Sequence, residues 1–169
     1  MKNTAYILWL LMGLQLLAQR GNAQSIRGTY AIQNVKTGLV LRIQGAKTQN
    51  GTPLVAYPPT NWKCMTWDFQ HVAGDTYQLR NLFSDKTFQP QAAADAPKLE
   101  EQPLKPGSSQ QQWEFIPVSA NTYRIKLTGT NLYVTPADAD GAVNSRMVLR
   151  PKADGSLQYW TLHEQHPTS

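Results

Sequence analysis

Tyrosine and tryptophan recur together along this chain at a spacing that no single helix or strand produces. "GTYAIQN", "DTYQLRN" and "NTYRIKL" place Tyr30, Tyr77 and Tyr123 at intervals of 47 and 46 residues, and Trp67, Trp113 and Trp160 follow at intervals of 46 and 47. Within the copies the Tyr-to-Trp distance is 37, 36 and 37 residues. Two landmarks that keep one period through three copies define an internal repeat. A period of this length means that each copy is a supersecondary unit whose apolar face is covered by its neighbours.

Each unit reads as strands. Its apolar residues alternate over short runs, and clusters of Gly, Pro, Asn, Asp and Ser interrupt it every several residues. In the first unit the runs are Tyr30 and Ile32, then Leu39 to Ile43, then Leu54 to Tyr57, then Trp67 with Phe69, which makes four strands. "LRNLFSDKTFQP" and "IKLTGTNLYVTP" are both strand, turn, strand. The third strands are read as "LVAYP" at 54–58, "QPLKP" at 102–106 and "MVLRP" at 147–151, each ending in a Pro that cannot continue a ladder from within. Three such units bury a core only by pooling their inward faces around a pseudo-threefold axis. The expected fold is therefore an all-β trefoil of three four-stranded repeats, at about 28–75, 76–121 and 122–165. A propeller of similar unit length typically needs four or more blades. The three tryptophans belong on the fourth strands, pointing into the shared core with Phe69, Phe115 and Leu162.

The first 23 residues stand apart from this period. Lys2 precedes a mostly apolar run from Tyr6 to Ala18, and Gly21-Asn22-Ala23 supplies small residues ahead of a cleavage point, the pattern of a secretory signal peptide. The run is too short for a membrane-spanning helix, which takes about 20 residues. The remaining 24–169 is expected to be a single domain, secreted or periplasmic, without a membrane partner once the signal is cleaved. It carries 14 basic and 11 acidic residues, scattered singly. That pattern lacks the basic stripe that tracks phosphates, so nucleic acid is excluded as an expected partner. The single Cys64 forms no internal disulfide, so the fold depends on packing, and the thiol is read as a small hydrophobe.

Gln111-Gln112-Trp113 and Gln158-Tyr159-Trp160 match the Gln-x-Trp signature of ricin B-type lectin domains, and "TYAIQNVKTGLVLRI" followed by "NGTPLVAYP" is similar to that family's opening run. The resemblance covers all three units. It implies a trefoil whose members mostly bind carbohydrate in shallow pockets, at most one per unit. The family's sugar site joins an Asp on the second strand, an aromatic ring at the end of the third, and polar groups just before the fourth-strand Trp. Here the Asp position holds Arg42, Gln89 and Thr135; the ring position is read as Tyr57, Lys105 and Arg150; and the position three before the Trp holds Cys64, Gln110 and Leu157. No unit carries the whole set, and the first replaces the signature Gln by Met65.

The expected function is thus a non-catalytic glycan- or polysaccharide-binding protein, with Arg42, Tyr57 and Trp62 as the candidate site of the first unit and Gln89, Lys105 and Gln110 as that of the second. A ring at Tyr57 would cover the apolar C–H face of a sugar while Arg42 donates hydrogen bonds, and an Arg in place of an Asp favours an acceptor-rich or anionic ligand. The rival from another class is a trefoil that binds protein, such as a hydrolase inhibitor, since one fold serves both. Catalysis, a cofactor and a metal have no support. His163 and His166 are read in a frayed tail, Asp138 and Asp140 in a polar turn, and there is neither a Gly-rich phosphate loop nor a Gly-x-Ser-x-Gly. The sequence leaves the oligomeric state open.

Overall fold

The computed structural model describes residues 25–91 and 96–169, so the expected signal peptide lies outside the described residues. The strands are β1 (Gly28–Asn34), β2 (Val40–Ile43), β3 (Leu54–Tyr57), β4 (Trp67–Ala73), β5 (Thr76–Asn81), β6 (Thr87–Pro90), β7 (Leu99–Gln102), β8 (Trp113–Ser119), β9 (Thr122–Leu127), β10 (Leu132–Pro136), β11 (Met147–Pro151) and β12 (Trp160–Glu164). Six of them close a barrel: β1 pairs with β4, β4 with β5, β5 with β8, β8 with β9, β9 with β12, and β12 returns to β1. The other six form the hairpins β2–β3, β6–β7 and β10–β11. This is the twelve-stranded β-trefoil.

The two landmarks are one structural feature. Tyr30 lies opposite Trp67 in the β1–β4 register, Tyr77 opposite Trp113 in β5–β8, and Tyr123 opposite Trp160 in β9–β12. Each Tyr-Trp pair is therefore the cross-strand contact that closes its own unit. The three tryptophans are fully buried and join Phe69, Phe115 and Leu162 in one core cluster that draws on all three units. Burying a Trp in such a core stabilises by about 3–5 kcal/mol when measured as the loss on truncation to Ala. The indole N–H groups of Trp67 and Trp160 donate to the carbonyls of Leu41 and Val134. In the second unit the Phe88 ring lies 4.7 Å from that of Trp113, whose N–H finds no partner among the described residues.

The third strand of the second unit differs from the sequence expectation. It runs Leu99–Gln102 and stops at Pro103, so "QPLKP" is a strand end and loop rather than a strand. Its inward positions are Leu99 and Glu101, both buried. An acid facing the core hides the apolar alternation that marks the other third strands. The register corrects the site as well. Tyr57 opposes Val40, Gln102 opposes Thr87 and Arg150 opposes Tyr133, so the counterpart of Tyr57 is Gln102 and not Lys105. His163 belongs to β12 rather than to a frayed tail, and its ring nitrogen lies 3.0 Å from the Thr161 hydroxyl.

Candidate functional site

The signature Gln residues are structural. Gln158 is buried, accepts from the Ala153 N–H at 3.0 Å and donates to the Pro151 carbonyl at 2.9 Å, which ties the loop after β11 to the 3₁₀ turn Ser156–Gln158. Gln111 does the same in the second unit, accepting from the Lys105 N–H and donating to the Pro103 carbonyl. In the first unit the place is taken by Met65, packed with Ala31, Val40 and Cys64. The thiol of Cys64 is buried there, as a small hydrophobe would be.

A second clamp joins consecutive units. Asn34, which opposes Trp160 at the end of β1, accepts from the N–H groups of Lys36 and Thr37 and donates to the Leu157 carbonyl at 2.8 Å. Asn81 repeats this one unit later, accepting from Phe83 and Ser84 and donating to the Cys64 carbonyl at 3.3 Å. Each Asn therefore fixes a tight turn of its own unit against the 3₁₀ turn of the unit before it. The residue two places beyond each Asn, Lys36 or Phe83, becomes a wall of the preceding unit's cleft. The third copy lacks the clamp, because Leu127 stands where Asn would be, and the wall position is Gly129.

Two clefts follow from that arrangement. The cleft of the first unit, about 270 Å³, is lined by Arg42, Ala46, Trp62, Lys63, Cys64, Phe83 and Ser169. The guanidinium carbon of Arg42 lies 3.9 Å from the ring centroid of Tyr57 and 5.8 Å from that of Trp62. Arg42, Tyr57 and Trp62 are thus brought together as read from the sequence, with one correction. Arg42 covers a face of Tyr57, so the open aromatic surface belongs to Trp62 at 40% exposure, with Phe83 at 44% beside it. A cation so placed is attracted by both rings.

The cleft of the third unit is larger, about 450 Å³, and is lined by Lys36, Thr135, Arg150, the loop Pro151–Gly155 and the turn Ser156–Gln158. Arg150 is steadied by one hydrogen bond, 3.0 Å to the Ala137 carbonyl. Lys152 and Asp154 stand on the loop that Gln158 holds. No single repeat marks this cleft in the sequence, because Lys36 arrives from the other end of the chain and Asp154 from a loop that the Gln-x-Trp pattern does not include.

The second unit's expected site is not assembled. The Gln89 side-chain oxygen accepts from Gln111 at 2.9 Å, and Lys105 serves through its backbone, its N–H bonded to Gln111 and its carbonyl to Gln78. Gln110 is exposed on the turn Ser109–Gln111. None of the three lines either cleft. Among the described residues no group of three His, Cys, Asp or Glu side chains could hold a metal ion, and Asp140 caps its own turn by accepting from the Ala142 N–H.

Over residues 9–98, more than half of the chain, the sequence matches the family described as ricin-type β-trefoil lectin domain-like. The chain belongs to that family. Comparison with curated proteins returns no match. Solved structures similar to this ricin-type trefoil include the designed threefold-symmetric protein ThreeFoil, at 17% identity and a TM-score of 0.76, with 81% of this chain and 99% of that one covered. A ricin B-like lectin of Macrolepiota procera, solved in complex with lactose, matches at 23% identity and a TM-score of 0.67, covering 83% of this chain and 97% of the lectin. An exo-β-1,3-galactanase from Clostridium thermocellum matches at 18% identity and a TM-score of 0.74 over 80% of this chain, but over only 30% of its own length. At these identities the likeness shows the fold.

Proposed function

We propose that this ricin-type trefoil is a non-catalytic carbohydrate-binding protein, acting outside the cytoplasm, that takes single sugar units of a glycan into shallow clefts at the seams between its repeats. The observation that carries the reading is the recurrence of one cleft at equivalent places in the first and third units, each walled by a residue of the next unit. Its chemistry suits a sugar. In the third unit Asp154 accepts from hydroxyl groups, Lys36, Arg150 and Lys152 donate to ring and hydroxyl oxygens, and Pro151 and Leu157 give apolar surface. In the first unit Trp62 offers a ring to the C–H face of a pyranose and Arg42 donates beside it. The family membership and the lactose complex of the Macrolepiota lectin support the same class of ligand.

Shallow clefts bind weakly one at a time, and two on one rigid body gain by engaging a polymer together. A glycan array with the purified protein tests the reading, followed by W62A and D154A on the best ligand. Binding that drops with each variant, and more with both, supports it. An array without a single bound glycan overturns it.

A further inference from the structure

The third unit's cleft has a charge that a neutral sugar does not need. Lys36, Arg150 and Lys152 line it against the single carboxylate of Asp154, and among the described residues none of these four takes part in a salt bridge. Three cations facing one concave space repel one another, and a ligand anion relieves that repulsion while gaining charge-assisted hydrogen bonds. The positions are built. Asn34 is buried and fixes the turn carrying Lys36 to the Leu157 carbonyl, Gln158 is buried and fixes the loop carrying Lys152, and Arg150 is held to the Ala137 carbonyl, its other N–H groups bonding to none of the described residues. The first unit's cleft, at the equivalent place, is dominated by Trp62, Phe83, Ala46 and Cys64. The two clefts have therefore diverged, one toward apolar surface and the other toward cationic donors.

We propose that the third unit's cleft selects a sugar bearing an anionic group, a carboxylate or a sulfate ester, as part of an acidic polysaccharide. This rests on the glycan-binding reading above and narrows its ligand class. Arg150 presents a planar fork matched to a carboxylate or sulfate, Lys36 and Lys152 add point charges from the turn after β1 and the loop after β11, and Asp154 accepts from a hydroxyl of the same sugar. The carboxylate of Asp154 also acts against anions entering in any other orientation, which gives the cleft a direction.

Calorimetric titration of the purified protein with three oligosaccharides of matched length tests this: an oligogalacturonate, a sulfated galactan fragment and a neutral galactan fragment. Two variants of equal charge loss accompany it, K36Q/R150Q inside the cleft and K47Q/K98Q at exposed lysines outside it. The expected result is tighter binding of a charged oligosaccharide than of the neutral one, an about tenfold loss in K36Q/R150Q, and an unchanged affinity in K47Q/K98Q. Which charged oligosaccharide binds separates carboxylate from sulfate. Equal affinity for charged and neutral fragments overturns the anionic selectivity and leaves glycan binding standing. Equal losses in the two variants overturn the cleft in favour of overall charge. Failure of every oligosaccharide, here and on the array, overturns glycan binding itself.

Discussion

Glu101 sits on β7 with its side chain wholly buried, and among the described residues no group stands at full hydrogen-bonding geometry to either carboxylate oxygen, the Ser84 hydroxyl being only a weak neighbour. Burial pushes its pKa above the ordinary 4.5, and the Ser84 hydroxyl and the Lys86 ammonium only partly pull it back. A folded-state pKa above the unfolded one means that the folded chain holds its proton more tightly. The favourable contribution is complete below the unfolded value and is lost as pH rises through the folded one, because the native state must then ionise a group in a dry site. E101Q removes this group. It is expected to be about 1–3 kcal/mol more stable than the parent at pH 8, with the difference shrinking toward pH 4. Urea unfolding of both proteins across that range measures it, and a difference that stays constant with pH would show that Glu101 does not titrate in this window. The same residue explains why the second unit's third strand was illegible in the sequence. An acid at a core position breaks the alternation by which strands are recognised, and the next apolar residue before a Pro, Leu104, mimics the missing strand end.

At the scale of elements, the 3₁₀ turn and the loop before the fourth strand shape the third unit's cleft. Gln158 makes two hydrogen bonds to the backbone of the loop that forms the floor of the third unit's cleft. Its replacement by Ala leaves the Ala153 N–H and the Pro151 carbonyl to find water, which is expected to cost about 1–3 kcal/mol. It is also expected to weaken glycan binding, because Lys152 and Asp154 lose their fixed positions. Thermal melting gives the first effect and titration at a temperature where the variant is fully folded gives the second. An unchanged affinity in a folded Q158A would show that the loop is held without this side chain. Period and chemistry made the framework legible. The Tyr-Trp pairs had to recur because each closes one unit, and the signature Gln could be read as orienting backbone. The clefts were not legible because their walls come from the following unit. Lys36 and Arg150 lie far apart in the sequence and meet only when β12 returns to β1. Tyr57 looked like an open ring because nothing in the sequence tells that Arg42 lies over it.

The whole molecule depends on that last closure. β1 and β12 share five register pairs and β8 and β9 share six, so the third unit pairs with the strands at both open ends of the first two. It also contributes Ile125, Val134, Leu149, Trp160 and Leu162 to the common core. A chain of residues 25–120 keeps β1 to β8 but exposes two unpaired edges and the apolar faces that those side chains cover, and unpaired edges associate with other chains. Three units closed into one barrel differ here from solenoid repeats, in which each unit contacts only its neighbours along a line and removal of an end unit leaves the others folded. The 25–120 fragment is therefore expected to show no cooperative unfolding as a monomer, and either to remain unfolded or to self-associate. Circular dichroism melting at several concentrations, with the mass in solution from light scattering, distinguishes these states. A monomeric fragment with one sharp, concentration-independent transition would mean that two units suffice for a core, and that the third unit, with its cationic cleft, is an addition to a fold already complete.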